Sequence, residues 1–64
     1  MGAIDRSGFR FEPEYSVMLQ KGAIHVYQKG EFLKEITFSF HVQKPEEAQI
    51  ESLIEQFLSE QNVE

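Results

Sequence analysis

Hydrophobic and polar positions alternate most regularly over residues 31–42. Phe32, Lys34, Ile36, Phe38, Phe40 and Val42 share one parity, and Glu31, Leu33, Glu35, Thr37, Ser39 and His41 share the other. Successive side chains on a strand point to opposite faces, so the stretch predicts one long β-strand with an apolar even face. The period then changes. Ile50, Leu53, Ile54, Phe57 and Leu58 fall at i, i+3, i+4, i+7 and i+8, while Gln49, Glu51, Ser52, Glu55 and Gln56 fill the other side, the pattern of an amphipathic helix. Pro45 suits its first turn, where the missing N–H costs nothing, and Lys44 before it is driven toward an extended conformation. Glu46 and Glu47 then sit at the positive end of the helix dipole. The helix is expected to end near Gln61, with Asn62 as a left-handed cap, and to cover the even face of the long strand.

Upstream, Gln20-Lys21-Gly22 recurs as Gln28-Lys29-Gly30, each between apolar runs. A glycine closing such a tripeptide suits a three-residue bulged hairpin loop, with a two-residue Lys-Gly turn as the competitor. For the second loop the bulged form pairs Tyr27 with Glu31, Val26 with Phe32 and Ile24 with Lys34, which puts Ile24 and Val26 on the apolar face. The two-residue form pairs Tyr27 with Phe32 and sends them to the opposite face, so the hydrophobic pattern favours the bulge. The first loop stays open between two registers. A bulged loop pairs Met18 with Ile24 and puts Tyr15, Val17 and Leu19 on the outer face, beside His25, Tyr27 and Leu33. A two-residue loop puts them on the helix side.

Asp5-Arg6-Ser7-Gly8 is a turn signal. Phe9 and Phe11 alternate with Arg10 and Glu12, as in a short strand, and Pro13 stops it or confines it to an edge. In the bulged register the residues beyond about Ile36 have no partner on the second strand, and their backbone groups still need hydrogen bonds. Residues 37–42, uncharged apart from His41, would form a sticky edge. Either the segment around Phe9 and Phe11 folds back onto it or a second copy of the chain does. With 64 residues and no cysteine the chain has a small core and no disulfide, so a homodimer is the favoured expectation.

Charge is unevenly distributed. Arg6, Arg10, Lys21, Lys29, Lys34 and Lys44 are balanced by Asp5, Glu12, Glu14, Glu31 and Glu35 over residues 1–44, whereas residues 45–64 hold six glutamates and no lysine or arginine. The helix therefore carries nearly all of the net charge of −5, and a solvated acidic face is the plain reading. No basic-then-apolar leader and no apolar run of membrane-spanning length is present, so a cytoplasmic setting without membrane contact is expected.

Candidate chemistry is sparse. His25 and His41 share odd parity, but along the strand they stand roughly 26 Å apart, too far to hold one ion. The pairs Glu12 with Glu14, Glu46 with Glu47 and Glu51 with Glu55 read as solvated carboxylates and not as an acid–base pair in a cleft. Ser39 lies two residues from His41 on one strand face. No nucleophile elbow and no phosphate-binding glycine loop occurs. Small tautomerases act through an N-terminal proline, and here Gly2 stands in that place. A patch of Arg10, Tyr27, Lys29 and Lys34 is the only hint of nucleic-acid binding, and the acidity of the chain opposes it.

The opening Met1-Gly2-Ala3-Ile4-Asp5-Arg6-Ser7-Gly8, with Glu14-Tyr15-Ser16-Val17 and Gly22-Ala23-Ile24-His25-Val26-Tyr27, resembles a family of short uncharacterised proteins from Bacillus and relatives. The resemblance implies a bacterial cytoplasmic setting and no particular activity. The expectation is a single α+β domain over residues 1–64, a three-stranded antiparallel β-meander followed by one C-terminal amphipathic helix packed on one face. Its expected role is a non-catalytic protein-interaction module, homodimeric or with another protein partner, without cofactor or metal. The candidate interaction surface is Tyr15, Val17, His25, Tyr27, Leu33, Thr37, Ser39 and His41. The alternative is a small-ligand or nucleic-acid binder using the sheet face at His25 and Tyr27.

Overall fold

A computed structural model describes residues 2–41 and 43–61. Strands β1 (Ile4–Arg6), β2 (Phe9–Ser16), β3 (Lys21–Gln28) and β4 (Glu31–Ser39) form one antiparallel sheet in the order β1-β2-β3-β4, and helix α1 (Glu47–Gln61) follows. The class is α+β, with four strands where three were expected. The additional strand comes from residues read as a turn. Only Ser7 and Gly8 turn, with φ of +54° and +83°, and Arg6 pairs with Phe9 across them. Positive φ at both central residues gives the mirror-image turn whose twist matches the flanking strands, so Asp5 and Arg6 remain in β1.

Both registers considered for the first hairpin are corrected. Its loop lies earlier, at residues 17–20, and Ser16 pairs with Lys21. The Ser16 hydroxyl accepts the Leu19 N–H at 3.2 Å, and the Val17 carbonyl accepts the Gln20 N–H at 3.3 Å. Local bonds of this kind satisfy the loop backbone. Pro13 neither ends the strand nor breaks the sheet. It pairs in register with Ile24, while β1 reaches along β2 only as far as Phe11. From Glu12 onward the other side of β2 is an edge, where a proline is tolerated.

The second hairpin is corrected too. Lys29 and Gly30 have φ of +52° and +81°, and Gln28 pairs with Glu31, so the turn has two residues. Tyr27 then pairs with Phe32, but Val26 pairs with Lys34, which leaves Leu33 as an extra residue in β4. This β-bulge shifts the alternation by one residue. It returns Ile24 to the same face as Ile36, its partner. The hydrophobic pattern thus identified the correct inner face for Ile24 and Val26, while the extra residue sits in the strand and not in the loop. The predicted overhang disappears with it. Because β3 begins at Lys21, its residues pair with β4 as far as Ser39, and the Phe40 N–H donates to the Gln20 carbonyl at 3.1 Å. The ground for placing a second copy on residues 37–42 is removed. Val42, expected to end the strand, lies outside the described residues.

The helix stripe is as predicted. Ile50, Ile54, Phe57 and Leu58 are buried, with Leu53 packed at the border. They lie over the inner sheet face, where the register forms the rows Phe11–Val26–Lys34, Pro13–Ile24–Ile36 and Tyr15–Gly22–Phe38. The core thus centres on β2 and β3 more than on β4. Phe57 meets Phe9 and Phe11 edge-on at 5.2 and 5.7 Å between ring centroids, the geometry aromatic quadrupoles favour. Pro45 is buried two residues ahead of the helix and not in its first turn. The Glu46 carbonyl instead accepts the Gln49 and Ile50 N–H groups. The Gln49 side-chain amide donates to the Ser39 carbonyl at 2.8 Å, which ties the helix start to the end of β4. The helix is continuous to Gln61, the last described residue, and Asn62, expected as its cap, lies outside the described residues.

Candidate functional site

The helix covers one face of the sheet and leaves the other bare. The same registers that build the core define this outer face as rows across β2, β3 and β4. They are Arg10–Tyr27–Phe32, Glu12–His25–Glu35, Glu14–Ala23–Thr37 and Ser16–Lys21–Ser39. The bulge brings Phe32 to this side. Its ring meets Tyr27 at 5.8 Å and His25 at 6.0 Å, both edge-on, and the residue stays 56% exposed. Leu33 beside it is 46% exposed.

His25 occupies the middle of the face. Its Nε2 lies 2.9 Å from Glu35 Oε2 and its Nδ1 lies 3.5 Å from Glu14 Oε2, and Glu12 is its direct partner on β2. A neutral imidazole has one N–H and can donate to only one of these carboxylates, whereas the imidazolium donates to both. At the near end of the face Arg10 Nε pairs with Asp5 at 3.3 Å.

The sequence-predicted surface is only partly brought together. His25, Tyr27, Thr37 and Ser39 share the outer face, and Leu33 borders it at the bulge. Tyr15 is on the helix side, edge-on to Phe40 at 5.6 Å. Its outer-face placement is corrected because Ser16, not Leu19, is the last residue of β2. Val17 lies in the loop, beside Met18 and Leu19, which are 95% and 70% exposed. His41 is exposed past the end of β4, outside the paired rows that hold His25. Phe32, Glu12, Glu14 and Glu35 were missed. The signal for Phe32 was present in the two-residue Lys29-Gly30 turn, which pairs Tyr27 with Phe32, whereas Glu35 joins only through the bulge and Glu12 and Glu14 only through the β2–β3 register. The basic patch imagined for nucleic acid is dispersed, since Lys34 is on the helix face and Lys29 is in the turn.

Elsewhere, Arg6 reaches over the helix side. Its Nη1 donates to Glu51 Oε1 at 2.5 Å and its Nη2 to Glu51 Oε2 at 3.3 Å, with Glu55 at 3.4 Å. These hydrogen bonds, supported by the guanidinium charge, hold the Glu51 carboxyl below the usual carboxylate range despite some desolvation. A shallow cleft between β1 and the start of α1 is lined by Ile4, Pro13, Glu47 and Glu51 among others. Among the described residues no three metal-ligating side chains gather, and no helix is long and apolar enough to cross a membrane.

A four-stranded sheet with one helix on one face and an aromatic and acidic opposite face, uncovered among the described residues, defines a small α+β protein. The sequence profile of a family of unknown function, DUF5370, matches residues 1–63, and the chain belongs to this family. It is 49% identical over 63 residues to the uncharacterised protein YbxH of Bacillus subtilis strain 168, an alignment that covers 98% of this chain and all of the relative. No solved structure gives a significant match.

Proposed function

We propose that the chain is a non-catalytic protein-interaction module whose working surface is the outer sheet face. The observation that carries this reading is the position of Phe32. A bulge in β4 turns a large aromatic side chain out of the core and sets it, more than half exposed, against Tyr27 and His25. Exposed aromatic clusters rimmed by polar groups are typical of binding surfaces. The carboxylates of Asp5, Glu12, Glu14 and Glu35 repel phosphate and weigh against a nucleic-acid ligand.

Self-association is the second reading, and the β2–β3 hairpin tip favours it, because Val17, Met18 and Leu19 are exposed there in succession. The free edge of β4 is a poorer candidate. Its bulge, Glu31, Glu35 and the core-side Lys34 are devices that discourage strand addition.

The test compares the parent chain with a Tyr27→Ser, Phe32→Ser double variant and with Met18→Ser. Light scattering over a wide dilution range gives the oligomeric state, and affinity capture reports bound partners. Loss of association only in the double variant supports the sheet face. Loss only in Met18→Ser supports the tip, and no loss in either overturns both.

A further inference from the structure

We infer that the outer sheet face receives a basic segment of a partner protein, with an arginine or lysine side chain laid on the Phe32 and Tyr27 rings and its charge met by Glu35 and Glu12. The inference rests on the reading of this face as the docking surface and names the chemistry of what docks there.

Three features lead to it. The Phe32 ring stands edge-on to both neighbours, at 70° to Tyr27 and 67° to His25, so the rings do not stack on one another's faces. An exposed aromatic face within about 6 Å attracts a cation through its quadrupole. Next, the row behind the rings is Glu12–His25–Glu35, with Glu14 against His25 from the following row. The cations on the face are Arg10, held by Asp5 at 3.3 Å, and Lys21, three rows from Phe32. Three further carboxylates thus surround His25 close to the rings, and a guanidinium above them would meet complementary charge. Finally, the surface is an open sheet face spanning three strands, which suits an extended segment better than a small cation. A second copy presenting this face would set carboxylates against carboxylates.

The test uses the intact chain and a capped Gly-Arg-Gly-Arg-Gly peptide, followed by two-dimensional amide NMR. Matched peptides with glutamate or serine in place of arginine serve as comparisons. The helix supplies an internal control, because its solvent side carries Glu47, Glu55 and Glu60 without an aromatic ring. The expected result is shifts centred on Tyr27, Phe32, His25 and Glu35 with the arginine peptide alone. Phe32→Ser should weaken binding by about two- to five-fold, and Glu60→Gln should leave it unchanged.

Equal or larger shifts along the helix would mean adsorption by charge alone and would overturn the inference. So would equal binding of the serine peptide. A photo-cross-linking residue at position 32 separates the two levels of the account. Protein adducts there without any response to the arginine peptide would overturn the basic partner and leave the docking face standing. Neither adducts nor shifts would overturn both.

Discussion

The ring of Phe38 on β4 lies over Gly22, its partner on β3, and fills the space that a side chain at position 22 would occupy. A Cβ built there would run into that ring and into the Glu14 carbonyl on β2. Gly22 therefore lets an aromatic ring settle at the end of the inner face, where Phe38 also borders Phe40 at 6.4 Å between ring centroids. Gly22→Ala should lower stability by about 1–3 kcal/mol, the usual range for overpacking. Urea denaturation followed by circular dichroism would measure it, and an unchanged midpoint would mean that Phe38 is not held in this place.

Gln20-Lys21-Gly22 and Gln28-Lys29-Gly30 are the same tripeptide in different conformations. Lys21 is in β3, whereas Lys29 is in a turn at φ +52°. Asparagine adopts positive φ more readily than lysine and is poor in strands. Lys29→Asn should raise stability by up to about 1 kcal/mol, and Lys21→Asn should lower it by a similar amount or less. Shifts of the two urea midpoints in the same direction would contradict this assignment of the turns.

That duplication shows why the sequence was legible in part. The helix could be read closely because Ile50, Ile54, Phe57 and Leu58 form a periodic stripe, and periodicity is a property of the segment itself. The inner face of β3 could also be read, because burial constrains the parity of Ile24 and Val26. The position of the extra residue could not, since a bulged loop and a bulge at Leu33 restore the same parity. Nor could the local pattern tell that Gly22 is the second residue of a strand, facing the Phe38 ring on β4, and not part of a solvent-exposed turn. Those distinctions depend on contacts between strands. The site was half-visible for the same reason. His25 and Tyr27 follow from β3 alone, whereas Phe32 and Glu35 join them only once the bulge is placed.

Ile54 is fully buried at the centre of the helix stripe. Ile54→Ala should cost about 2–5 kcal/mol. A domain of this length has a total stability on the order of 3–10 kcal/mol, so the variant is expected to be largely unfolded at elevated temperature. Thermal unfolding by circular dichroism would check it, and a melting temperature close to that of the parent chain would contradict the packing described.

Arg6 links β1 to the helix through Glu51, whose carboxyl it holds below the usual range. A carboxyl depressed in the folded state adds stability that is complete above its unfolded pKa and is lost as pH falls through the folded value. Glu51→Gln should therefore be less stable than the parent chain at pH 7, and the difference should close as pH falls through and below the carboxylate range. Urea midpoints at both ends of that range would show it, and a difference that persists in acid would point to packing in place of charge.

The most direct test of the central claim is photo-cross-linking inside living cells, with the reactive residue placed in turn at position 32 on the outer sheet face, 18 at the hairpin tip and 55 on the helix. Discrete protein adducts are expected from position 32 and few from the other two. Adducts from position 18 or 55, with none from 32, would contradict the claim.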